Sequence, residues 1–249
     1  MGADPNTSPI STTTQNGSTR TSQNPGTVLV TGAASGLGRA VVDAVRAAGG
    51  RPLALDRVPV DGVPHEVVDL SDTRAAEDAV RRVVDGAGGT LDAVVTAAGW
   101  DVPAPLTALD GATWDKIVGV NLLGTAATVR AALPYLEASH GTVLTVGSTL
   151  SLKGVGDATA YCASKFGIVG FTEALQAELR GRVGVTLLIP GGMSTAFFDE
   201  RDPQYKPGPD ALLNDPSNVA ATVLFALTQP AGCEIKELRV MHGSEPSYP

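Results

Sequence analysis

The sequence predicts a doubly wound α/β domain, a parallel sheet covered by helices on both faces. Strand-like and helical segments alternate from Thr27 onward. Several strand candidates, among them TVLVTG and LDAVVTAAG, are apolar along their whole length, as strands buried on both faces must be. A glycine-rich turn joins the first strand to the first helix. A chain of 249 residues fits one large α/β domain better than two small ones. With 43% hydrophobic but only 4% aromatic residues, its core must be built mostly of Val, Leu and Ala.

The elements follow in order. TVLVTG (27–32) is β-rich and ends at glycine, and SGLGRAVVDAVRAAGG (35–50) has helical periodicity closed by Gly49 and Gly50. RPLALDR and HEVVDL read as the second and third strands. SDTRAAEDAVRRVVDGAGG opens on a Ser71 or Asp72 cap and continues with apolar residues at helical spacing. LDAVVTAAG is a fourth strand, and a long helical region from Asp110 to Ala138 has a break near Asn121. GTVLTVGS, the helix TAYCASKFGIVGFTEALQAELRG, and the strand VGVTLLIPGG ended by Pro-Gly come next. The segment 194–214, STAFFDERDPQYKPGPDALLN, breaks the rhythm and reads as a loop with one short helix, covering a site at the strands' carboxyl ends. DPSNVAATVLFALTQ and KELRVMH supply a last helix and strand. Met1 to Gly26 is rich in Ser, Thr, Asn, Gln, Gly and Pro, and is expected to be a disordered tail with no apolar signal region.

The net charge of −8 and the lack of a basic patch argue against nucleic acid and anionic membranes as partners. No apolar run is expected to span a bilayer. Cys162 and Cys233 lie far apart, and His65, His140 and His242 are scattered, so neither a disulfide scaffold nor a metal site is expected. This usage suits a reducing cytoplasm.

Chemistry concentrates in a few places. In Thr31-Gly32-Ala33-Ala34-Ser35-Gly36-Leu37-Gly38 the glycines let the chain turn tightly, and backbone N–H groups reach an anion at a helix N-terminus. Asp56 ends the second strand, where a carboxylate accepts from both ribose hydroxyls of an adenosine and repels a 2′-phosphate. Arg57 pulls the other way, so NAD is favoured with NADP as the alternative. In AYCASKFG, Tyr161 and Lys165 stand four apart on one helix face, and a nearby cation favours the phenolate.

Together, the Gly32-x-x-x-Gly36-x-Gly38 turn, Asn121, Ser148 and Tyr161-x-x-x-Lys165 resemble the short-chain dehydrogenase/reductase family in its compact single-domain form, a Rossmann fold. The resemblance runs from about Thr27 to the end. It implies that Tyr161 is the general acid/base and that Lys165 lowers its pKa and holds the nicotinamide ribose. It also implies that Ser148 bonds the reacting oxygen and that Asn121 anchors a water of a proton relay. Asp69 and Leu70 would border the adenine, Ala98 and Gly99 the cofactor, and Pro190-Gly191-Gly192-Met193-Ser194-Thr195 the nicotinamide, with Thr195 and the Met193 backbone on its carboxamide. Ala97 stands where the family has asparagine, which puts the rigidity of the central sheet in question. Cys162 reads as a packing residue.

The substrate pocket is expected from Trp100, Thr149, Leu150, Leu152, Gly156, Met193, Phe197 and Phe198, with Asp101 and Asp157 as polar contacts. A moderately hydrophobic secondary alcohol or ketone fits that lining. The competing functional readings are an NADPH-dependent ketone reductase and a non-catalytic dinucleotide sensor. The resemblance further implies a homodimer or homotetramer, paired through the helices 110–138 and 158–180.

Overall fold

The computed structural model describes residues 24–245. Seven parallel strands form one sheet in the order β3-β2-β1-β4-β5-β6-β7. They are β1 (Thr27–Thr31), β2 (Arg51–Asp56), β3 (His65–Val67), β4 (Ala93–Thr96), β5 (Thr142–Val146), β6 (Gly184–Pro190) and β7 (Glu237–Val240). The helices are α1 (Gly36–Ala47), α2 (Thr73–Gly86), α3 (Gly111–Val118), α4 (Gly124–Ser139), α5 (Thr159–Glu178) and α6 (Pro216–Leu227).

β1 is central and buried on both faces. Leu29 joins a core cluster with side chains of α2, α4 and α5, while Val28 and Val30 join one with α1 and α6. This two-sided burial is why β1 carries no alternating polar residue. Strand order reverses between β1 and β4, so the loops after their carboxyl ends diverge and leave a crevice.

Local chemistry sets the helix ends. Asp72, of the two candidates, caps α2 by accepting from Arg74 N and Ala75 N at 3.1 and 3.0 Å. The expected break near Asn121 is a π-helical turn, Gly119–Leu123, that joins α3 to α4 without ending the helix. Gly111–Ser139 is thereby long and apolar enough, by length and composition alone, to cross a membrane, against the expectation that no such run exists. Just over half (56%) of its most apolar window is buried within the fold, as for the core helix of a globular domain.

The segment 194–214 carries two single 3₁₀ turns, Ala196–Phe198 and Pro203–Tyr205, where one short helix was expected. Its ends are joined, since Ser194 N donates to Asn214 O and Asn214 N to Gly192 O, both at 2.9 Å. The expected boundary of the tail also moves. Asn24 Nδ2 donates to Gly49 O at 3.2 Å and Arg51 N to Gly26 O at 2.8 Å, so Asn24–Gly26 pack on the domain. The rest of the expected tail lies outside the described residues, as do 246–249.

α1 lies against the end of β1 with backbone touching backbone. A Cβ on Gly38 would stand 2.1 Å from the Gly32 carbonyl oxygen. Gly32 has φ of 67°, and a Cβ there would meet the Ala98 backbone at 2.8 Å. Gly38→Ala is expected to lower the unfolding free energy by about 1–3 kcal/mol in urea titration, through overpacking against rigid backbone. Gly86→Ala, in the last turn of α2 with open space around it, is expected to be neutral or stabilising by up to about 1 kcal/mol.

Candidate active site

The crevice holds two adjoining cavities. The larger, about 580 Å³, is lined by the glycine turn, the end of β5 with Ser148, the face of α5 with Tyr161 and Lys165, and the segment after β6. The smaller, about 160 Å³, lies between the ends of β1, β2 and β4 and is lined by Asp56, Arg57, Asp69, Leu70 and Gly99 among others. Gly32, Ser35, Arg57, Ala98, Gly99 and Trp100 line both, so they form one continuous trough.

Most residues picked out from the sequence stand around this trough. Gly36, Leu37, Pro190, Gly191, Met193 and Thr195 line the larger cavity, as do Trp100, Asp101, Thr149, Leu150, Phe197 and Phe198. Gly38 does not line it; its part is the close approach that aims α1. Gly156 is solvent-exposed and lines neither cavity, because the chain from Lys153 to Gly156 turns outward before α5. Leu152 packs instead against the small cluster of Ile168, Leu187 and Ile189. Asp157 is likewise outside, accepting from the Tyr205 hydroxyl at 2.9 Å.

The first turn of α1 has neither a side-chain cap nor an acidic residue, so its N–H groups are free of internal competitors for an anion. Asp56 is held at the mouth of the smaller cavity. Its Oδ2 accepts from Ala34 N at 2.9 Å and its Oδ1 from Val58 N at 3.2 Å. Across that cavity Lys116 Nζ pairs with Asp69 at 3.3 Å and lies 5.4 Å from the Trp100 ring centroid. Thr31 Oγ1 accepts from Ala98 N at 3.1 Å, which fixes the loop after β4 where Ala97 offers no polar group.

Asn121 is buried in the π-helical turn. Its Oδ1 accepts from Trp100 N at 2.8 Å, and its Nδ2 donates to Trp100 O at 2.9 Å and to Ser164 Oγ at 3.1 Å. Both amide protons are committed to protein partners. These bonds fix the loop after β4 against α5. Ser164 continues the link by donating to the Tyr161 carbonyl at 2.8 Å.

Ser148 follows β5 and lines the same cavity as Tyr161, where its hydroxyl favours the ionised phenol. Its Oγ also accepts from Leu150 N at 3.1 Å, which holds it at a short 3₁₀ turn, Thr149–Ser151, that the sequence did not signal. Lys165 Nζ donates to Val146 O at 2.9 Å and stands 5.6 Å from the Tyr161 ring centroid. Burial pushes the Lys165 ammonium down to about 8. Burial also pushes the Tyr161 phenol up to about 12, against the Ser148 hydroxyl and with the Asp101 charge adding to the rise and that of Arg201 opposing it. In the protein alone desolvation outweighs the charges around the phenol.

The cover segment adds a cation that no sequence pattern marked. Arg201 Nη2 bonds Asp101 Oδ2 at 2.8 Å, with side-chain exposures of 14% and 4%. Its guanidinium carbon lies 4.7 and 4.8 Å from the Phe197 and Phe198 ring centroids. Glu245 reaches in from the chain's end and accepts from Gly192 N at 3.0 Å.

The buried lysine makes a testable link to stability. The unfolded chain keeps that proton up to about 10.5 and the folded protein releases it near 8, so folding releases a proton between those values. Wild-type stability should gain from this, as pH rises from 8 to 10, at most about 1.4 kcal/mol per pH unit. Above pH 10 the raised phenol works in the opposite sense. Lys165→Met is expected to lose the gain between pH 8 and 10, measured by urea unfolding of the protein free of ligand; an unchanged slope would show that the lysine is not held dry.

Residues 26–206 match the family described as short chain dehydrogenase. An oxidoreductase of Staphylococcus aureus strain MW2, itself uncharacterised, is 30% identical across 85% of this chain and 95% of its own length. A subunit of (2S)-[(R)-hydroxy(phenyl)methyl]succinyl-CoA dehydrogenase from Thauera aromatica is 32% identical across 82% of this chain and 90% of its own. Among solved structures, an alcohol dehydrogenase from Thermococcus sibiricus complexed with 5-hydroxy-NADP aligns with a TM-score of 0.76 and 25% identity, covering 87% of this chain and 96% of that one. The family match takes in the glycine turn, Ser148, Tyr161 and Lys165, and the chain belongs to the short chain dehydrogenase family.

Proposed function

We propose that the protein transfers a hydride between NAD(H) and a secondary alcohol or its ketone, with Tyr161 exchanging the proton. The observation that carries this reading is that Ser148, Tyr161 and the desolvated Lys165 line one cavity that runs on to the glycine turn. The chain suits a dinucleotide on structural grounds. The uncapped first turn of α1 suits a pyrophosphate, and Gly32 and Gly36 keep side chains out of its way. A Cβ on Gly99 would point toward Asn121 and Lys165 at 3.8 and 3.9 Å, narrowing the space beside the lysine.

The dinucleotide, when bound, supplies or accepts the hydride. The protein's part is positional and electrostatic. Ser148 holds the reacting oxygen and answers the charge that develops on it. Tyr161, with its phenol raised to about 12, is protonated at neutral pH and gives its proton to a carbonyl oxygen during reduction. In the oxidative direction the phenol must lose that proton first, which needs added positive charge beside it. Lys165 is the residue to hold the adjoining ribose, and Asn121 keeps α5 and the loop after β4 in register around it.

Asp56 favours NAD, since its carboxylate faces the smaller cavity where an adenosine ribose would sit. Arg57 beside it supports the NADP alternative, and the Thermococcus sibiricus enzyme was solved with an NADP derivative. Exposed Leu123 and Phe166, on the helices proposed to pair, are the apolar groups that self-association would cover. Two free thiols, Cys162 and Cys233, suit a reducing cytoplasm.

Tyr161→Phe is expected to reduce turnover of a secondary alcohol or ketone panel at least about 10³-fold, followed by reduced-nicotinamide absorbance, while dinucleotide affinity stays within about twofold. Unchanged turnover would remove the proposed acid/base, and no turnover by the wild type would favour a dinucleotide sensor. Fluorescence titration should show NADH binding at least about tenfold tighter than NADPH, a preference that Asp56→Ala narrows; tighter NADPH binding in the wild type would reverse the assignment.

A further inference from the structure

The reacting groups do not account for the far wall of the larger cavity. Arg201 and Asp101 both line it, yet they come from segments a hundred residues apart, the cover and the loop after β4. Withdrawing two charges this far from water costs several kcal/mol per ion, and a single ion pair recovers that only with good geometry and further hydrogen bonds. Here the further bonds are incomplete. Arg201 Nε is buried and is one of two buried side-chain polar atoms among the described residues that have no hydrogen-bond partner. A guanidinium has five N–H donors, and Asp101 engages one nitrogen. Phe197 and Phe198 both contact the guanidinium, which limits its freedom to turn toward another partner. Phe197 also meets the Tyr161 ring, with centroids 5.9 Å apart, so one aromatic ring touches both the cation and the side chain of the reacting phenol.

From this we infer that the substrate carries a carboxyl group, as free acid or ester, whose oxygen accepts from the Arg201 guanidinium while its hydroxyl or keto oxygen meets Ser148 and Tyr161. This inference rests on the oxidoreductase reading and narrows its substrate class. A planar guanidinium held in a cavity wall with donors to spare matches a carboxyl oxygen, and a hydrocarbon there would leave those donors unpaired. Asp101 sorts the two forms. Its charge repels an incoming carboxylate and is indifferent to an ester, and burial already pushes its carboxyl upward, easing protonation when an acid binds.

The test is calorimetric binding to protein saturated with oxidised dinucleotide, where ketones bind but cannot be reduced. The probes are 3-oxo and 4-oxo acids, their methyl esters, and ketones of matched length with no second oxygen. In the wild type the acid or the ester should bind at least about tenfold tighter than the matched ketone. Arg201→Met should reduce that difference to within about twofold, and Arg201→Lys, which keeps the charge but not the planar donors, should fall between. Asp101→Asn should favour the acid over the ester. Dinucleotide affinity of each variant reports its folding, and if Arg201→Met fails to fold, the wild-type and Arg201→Lys comparison decides. Ketones binding as tightly as carboxyl compounds, a preference that survives loss of the guanidinium, or no carboxyl compound binding at millimolar concentration would overturn the inference. Failure of the wild type to reduce any of these compounds with reduced dinucleotide would instead overturn the oxidoreductase reading.

Discussion

The site depends first on the contact between α1 and β1. Gly38 lets the helix backbone come down on the Gly32 carbonyl, and the helix axis then points its uncapped N-terminus into the crevice beside β4. A side chain at either glycine would lift the helix and turn its free N–H groups away. Because β1 is the central strand, with apolar clusters on both faces, that aim is backed by the most buried part of the fold.

A second linkage orders the reacting side. The Asn121 carboxamide ties the Trp100 backbone to Ser164, and Ser164 ties back to the turn of α5 that bears Tyr161. Lys165, one turn further, extends to the carbonyl of Val146 at the end of β5, next to the strand exit that carries Ser148. Four chain segments are thus held together, the loop after β4, the π-helical turn and α5 by neutral hydrogen bonds and the end of β5 by the lysine. The burial that raises the phenol and lowers the ammonium follows from this closure: excluding water is what makes both titrations unusual.

Much of this was legible in the sequence, for physical reasons. Unbroken apolar strands, glycines at a strand-to-helix turn and a Tyr and Lys four apart are local patterns with local causes. What could not be read depends on tertiary packing. That Lys165 serves the Val146 carbonyl depends on where β5 ends relative to α5. Gly156 looked like pocket lining by its nearness in sequence to Ser148, but the chain swings outward between them. Arg201 sits in a segment without periodicity, and its partner Asp101 is a hundred residues away, so neither pattern nor spacing could join them. The π-helical turn left only a hint, a suspected break at Asn121, since widening one turn needs no special residue.

That widened turn has a consequence for how the two halves of the rod face. A π-helical turn admits one residue more than an α-helical one, so α3 and α4 run out of phase by about 100° relative to an unbroken helix. Winding all of Gly119–Leu123 as regular α-helix would rotate one half of the rod against the other. The carboxamide would swing off the Trp100 backbone, or the apolar stripe of α4 would swing off the sheet. The widened turn takes up its additional residue without moving either half, so the winding of this stretch, more than its residue types, is what places Asn121.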